Sequence, residues 1–130
     1  MERQFEFLAG KKISRLSFDF AVVIELFDKS LNATIRIEQE MSFLEAGKSV
    51  VVNPGNAESA APLLRLFGAE VKTAEAKQDG TLVVEFHQDR SLVVSPHPKY
   101  EAWELFANNG IKVVCMPGGE LAIWERIARG

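Results

Sequence analysis

The chain has 130 residues, 47% of them hydrophobic and 25% charged, and its 15 basic and 18 acidic side chains leave a net charge of −3. That length suits one domain with an ordinary core, and the acidic balance argues against non-specific nucleic-acid binding, which requires clustered Lys/Arg. No apolar run reaches the ~20 residues of a membrane span, and the lone Cys115 excludes an intrachain disulfide.

The opening MERQFEF mixes charges and does not resemble a signal peptide, so the reading is of a cytoplasmic protein. No repeat, low-complexity tract or linker divides the sequence, which is read as one domain over residues 1–130. Gln4 to Leu8 reads as a first strand, turning at Gly10-Lys11-Lys12. Leu16, Phe18, Phe20, Val22, Ile24 and Leu26 are apolar at every even position, the period of a strand with one buried face. After Asp28-Lys29-Ser30 the parity changes to Leu31, Ala33, Ile35 and Ile37, which makes an antiparallel hairpin.

Met41 to Leu44 and Ser49 to Val52 are shorter strands separated by Gly47. Asn53-Pro54-Gly55 breaks the sheet. SAAPLLRLF, residues 59–67, predicts a short helix capped by Ser59 and ended by Gly68. Ala69 to Ala74 is a strand. Asp79-Gly80 is a favoured turn dipeptide that leads to Leu82, Val84 and Phe86, and a turn at Gln88-Asp89-Arg90 leads to Leu92 and Val94. Pro98 to Asn108 predicts a second helix, with Tyr100, Trp103 and Ala107 on one stripe and Glu101 and Glu104 opposite. Strands at Ile111 to Met116 and Glu120 to Trp124 flank a Pro117-Gly118-Gly119 turn. The expected fold is α+β: a mainly antiparallel, strongly curved, half-barrel-like meander capped by two short helices.

The stretch around residue 100 carries the densest chemistry. The rings of Tyr100 and Trp103 read first as core that plugs the sheet. The functional alternative is a ligand pocket between the curved sheet and the 98–108 helix, lined by His97, Tyr100, Trp103 and Cys115. Glu38, Glu40 and Glu45 form a candidate acidic patch for a basic partner, against the plainer reading of a solvated sheet edge. Two histidines ten residues apart, with no local ligand pair, predict no metal site, and no glycine stretch has phosphate-loop spacing. No catalytic or cofactor-binding residue is assigned.

In the second half, DGTLVVEF, SLVVSP, YEAWEL and VVCMPGGELAIW together resemble a bacterial family of small domains of unknown function. The resemblance spans roughly residues 62–124. It departs where relatives carry a second Asp-Gly turn, since this chain has Asp89-Arg90. It implies a bacterial source and a shared architecture, and it brings no activity with it. Its landmark residues, Tyr100, Trp103, Gly118, Gly119 and Trp124, are packing and turn residues more than chemical ones. The expected function is a non-enzymatic protein-binding module, immunity-like or a homodimeric accessory protein, with a protein partner or a second copy bound at strand edges. A small-molecule-binding domain is the alternative.

Overall fold

The computed structural model describes residues 2–125, with side chains from Phe5 onward. β1 (Lys12–Phe18), β2 (Val22–Phe27), β3 (Asn32–Ile37), β9 (Trp103–Ala107), β10 (Ile111–Cys115) and β11 (Leu121–Glu125) pair in that order as a six-stranded sheet. Nested between β3 and β9 in sequence are β4 (Met41–Glu45), β5 (Lys48–Val52), β6 (Val71–Ala76), β7 (Leu82–Phe86) and β8 (Arg90–Val94). These make a five-stranded sheet of order β5-β4-β8-β7-β6. All pairings within both sheets are antiparallel.

The expected α+β half-barrel with two capping helices is therefore corrected. The described residues are mostly strand, in two sheets that do not close into a barrel. Their helical pieces are 3-10 turns at Glu2–Leu8 and Pro117–Gly119 and a ten-residue 3-10 helix at Ala57–Leu66.

The inner faces of both sheets feed one core. Ile24, Ile35, Ile37, Leu105 and Val113 come from the larger sheet, and Phe43, Val84, Phe86 and Leu92 from the smaller. The β2–β3 hairpin has the expected register, with Ile24 opposite Ile35 and Leu26 opposite Ala33. The apolar run from Leu16 to Leu26 is two strands folded around Asp19-Phe20-Ala21, closed by the Asp19 N–H on the Ala21 carbonyl at 3.1 Å. Gln4 to Leu8 is helical instead of extended, and it buries Phe5 and Leu8 at the three-residue spacing of a 3-10 turn.

The segment expected as the 98–108 helix is a loop followed by β9. Trp103, Leu105 and Ala107 stand opposite Ile37, Ile35 and Ala33 of β3. Each inward residue of β9 thus meets an inward residue of β3, and a period of two wins over the helical stripe. A helix here would also leave one side of β3 unpaired beside the core.

The sheets are joined along one side. The Gly10 N–H bonds the Val71 carbonyl, Val71 N–H the Lys11 carbonyl, and Ile13 N–H the Ala69 carbonyl, all within 2.9 Å. Register shifts just beyond this seam, at Ile13/Arg15 of β1 and Val71/Thr73 of β6, turn each strand into its own sheet. The outermost strands on the other side are β5 and β11.

Phe20 tips the first hairpin with φ at 68° and is 89% exposed. A non-glycine residue there bears roughly 1–2 kcal/mol of backbone strain. Phe20→Gly is expected to leave stability unchanged or raise it by up to ~1 kcal/mol in urea unfolding. A loss of more than ~1 kcal/mol would instead fit an unbroken strand.

Candidate functional site

Of the four candidate pocket residues, two lie inside and two outside. Trp103 points inward from β9, and its Nε1–H donates to the Gly80 carbonyl at 2.9 Å. Cys115, inward on β10, places Sγ 3.5 Å from the same oxygen. The Phe5 ring meets the indole edge-on, with centroids 6.1 Å apart. Burial pushes the Cys115 thiol above its ordinary value, so it stays protonated at neutral pH and is a poor nucleophile.

Gly80 belongs to the turn between β6 and β7, and this turn lies against the Pro117-Gly118-Gly119 turn of the other sheet. A Cβ on Gly80 would come within 2.5 Å of the Gly119 carbonyl oxygen, and one on Gly119 would strike the Asp79 carbonyl. Both glycines also have positive φ, 94° and 98°. The two turns approach backbone to backbone because neither carries a side chain at the contact. The sequence pattern shows these turns and the tryptophan separately and groups Trp103 with His97, Tyr100 and Cys115, of which Cys115 joins it at the Gly80 carbonyl. The signal for the real grouping was available, since Asp79-Gly80, Trp103 and Gly118-Gly119 are all words of the family resemblance.

His97 and Tyr100 sit outside this cluster in the loop before β9. Their rings are 4.5 Å apart at 31°, and Tyr100 is 64% exposed. The Lys99 N–H donates to His97 Nδ1 at 3.0 Å, so neutral His97 carries its proton on Nε2. The His97 carbonyl accepts from Gly118 N–H at 2.9 Å, which ties the loop to the double-glycine turn. The hollow nearest Trp103, beside Arg36, Glu38, Glu101 and Glu104, holds about 70 Å3. That is room for a couple of waters at ~30 Å3 each. A larger open groove of about 750 Å3 lies elsewhere, along the β9–β10 turn and Trp124, where Lys112 Nζ stands 5.7 Å from the indole centre.

The candidate acidic residues are dispersed. Glu38 accepts from Arg36 Nε at 3.1 Å, and Arg36 also reaches Asp19 at 3.2 Å. Glu45, at the far end of β4, pairs with Arg65 at 2.8 Å. Glu40 is exposed in the crossover between the sheets. Among the described residues no three His, Cys, Asp or Glu side chains converge as a metal site would need. No helix among them is long and apolar enough to cross a membrane.

Residues 6–125 match the model of DUF6188, a family of unknown function. The chain belongs to that family. Comparisons with curated proteins and with solved structures return no match. The clamp around Gly80 spans the two sheets of this DUF6188 chain and is built from packing and turn residues. Its chemistry is structural.

β5, like β11, is the last strand of its sheet on the side away from the seam. The Ala46-Gly47 turn pairs Glu45 with Lys48, Phe43 with Val50 and Met41 with Val52. In a two-residue hairpin the flanking pair exchanges ladder bonds, as does every second pair beyond it. The Ala46 N–H reaching Asp89 on the β8 side fits that alternation. The N–H and C=O groups of Ser49 and Val51 therefore face away from the sheet. At the next outward position the edge is closed: Asn53 N–H donates to Ser59 Oγ at 2.8 Å.

Two outcomes test the turn contact. Gly118→Ala, with a φ of 87° but open space around it, is expected to cost about 1–2 kcal/mol in chemical denaturation. Gly119→Ala adds a clash with backbone that cannot swing away, so a loss above ~3 kcal/mol is expected.

The Asp79 carboxylate is held below its ordinary value of 3.8, first by the Thr81 backbone N–H. The folded chain binds this proton less readily than the unfolded one. The Asp79 contribution is therefore complete above the ordinary value and fades as pH falls through it toward the depressed one. Asp79→Asn, which keeps the acceptor oxygen, should flatten part of the fall in melting temperature between about pH 5 and about pH 2.

Proposed function

We propose that this DUF6188 protein is a non-enzymatic binding module that recognises a protein partner through the edge strand β5. The observation that carries this reading is the exposure of that edge. Val50 is 41% and Val51 61% exposed, beside the outward backbone groups of Ser49 and Val51. Edge strands are ordinarily shielded by charge, proline, bulges or a covering segment. β5 has only Lys48 at one end and Pro54 beyond the other. An apolar edge with free donors and acceptors suits strand addition by a partner, where main-chain bonds supply affinity and alternate side chains specificity. The small-molecule alternative has no 98–108 helix with which to build its pocket.

A photo-crosslinking residue at Val51, introduced in the producing cell, should yield a covalent protein adduct. The same residue at Tyr100, about as exposed but on the loop before the central strand β9, should not. Adducts at neither position, or equally at both, would remove the proposal.

A further inference from the structure

We infer that the partner at β5 is a second copy of this chain, paired edge to edge about a twofold axis through Val50. The inference rests on the β5 reading above and names its occupant. The open stretch of edge is short and bounded. It begins after Gly47, includes the outward groups of Ser49 and Val51, and stops at Asn53, whose N–H is taken by Ser59. A partner strand therefore finds two outward residues two positions apart. An antiparallel copy centred on Val50 matches this window, because Ser49 then faces Val51 of the second copy and Val51 faces its Ser49. Each facing pair exchanges two backbone hydrogen bonds, four in all, and every outward group in the window is satisfied.

The side chains agree with that register. Val50 meets its own symmetry mate in the closer, non-hydrogen-bonded type of pair, which puts two β-branched apolar side chains together at the axis. Lys48 falls opposite Val52, so no charge faces a like charge across the seam. A twofold contact needs a patch complementary to itself, and this edge meets that condition. The two five-stranded sheets become one continuous ten-stranded sheet across the interface. Five-residue edges make a small interface, so the dimer belongs to the weak, concentration-dependent class.

The test uses the purified full chain in sedimentation equilibrium over about three decades of concentration up to ~0.5 mM. The expected result is a rise toward twice the 14.5 kDa chain mass. Val50→Lys places two ammonium groups at the axis and should hold the protein at the monomer mass while its far-UV spectrum stays native. Val50→Cys gives the second readout. Cα atoms across the axis would lie about 4.5 Å apart, within disulfide range, so mild oxidation should link two copies there well before it links Val51→Cys. Cys115 is fully buried and does not compete.

A wild type that stays monomeric throughout overturns the inference. So does a dimer that survives Val50→Lys, or one whose Val50→Cys form resists oxidation. A monomeric wild type that still forms an adduct to another protein at Val51 in the cell defeats self-pairing and leaves the β5 reading standing. No adduct at Val51 defeats both.

Discussion

One hydrogen bond sets the terms for the rest of this molecule, that from the Trp103 indole to the Gly80 carbonyl. Its net contribution is on the order of 1 kcal/mol, but leaving either partner unsatisfied in the interior costs about 1–3 kcal/mol. Trp103 belongs to a central strand of one sheet and Gly80 to a turn of the other, so the bond fixes the position of the sheets as well as their separation. The ring itself brings a large apolar surface, packed edge-on against Phe5. Beside the seated indole, the double-glycine turn lies against Asp79-Gly80. That contact tolerates no side chain at either glycine. The candidate pocket residues divide accordingly, with Trp103 and Cys115 serving the clamp and His97 and Tyr100 left on the loop outside it.

The two sides of the fold are treated differently. Where β1 and β6 come together, backbone bonds and a register shift in each strand turn what would be two edges into a seam. At β5 the 3-10 helix closes the edge only at Asn53, through Ser59. Arg65 pairs with Glu45 and stands over the Phe43 ring at 6.0 Å, while Arg90 donates to the Arg65 carbonyl at 2.8 Å. These contacts hold the helix across the end of the sheet. Val50 and Val51 stay in solvent beside it.

Much of the strand content was legible in the sequence because period two is a property of the chain itself. The β2–β3 hairpin was visible since four residues separate its strands, which flips the parity of the inward side chains. The β1–β2 hairpin was invisible for the converse reason. Three residues, Asp19 to Ala21, separate those strands, so Leu16, Val22 and Ile24 share one parity and the pair looks like a single long strand. The helix read at 98–108 failed because Tyr100, Trp103 and Ala107 satisfy a helical spacing that only the β3 partners of Trp103 and Ala107, over sixty residues away, overrule. Exposure of the β5 edge was beyond reach for a similar reason. Whether three valines face a neighbour or solvent depends on strand order, and strand order is decided by distant pairings.

The nesting of the smaller sheet has a consequence for how the chain comes off the ribosome. Residues 41–94 contain every strand of that sheet, so it can assemble as soon as β8 has emerged. The larger sheet is split, and β3 must wait for β9 to be synthesised before its second side is filled. Closing that pairing requires contacts of long sequence separation, which fold slowly. During elongation the nascent chain therefore carries a finished five-stranded half and a three-stranded half with β3 bare, the hydrophobic interval in which a chaperone has most to protect.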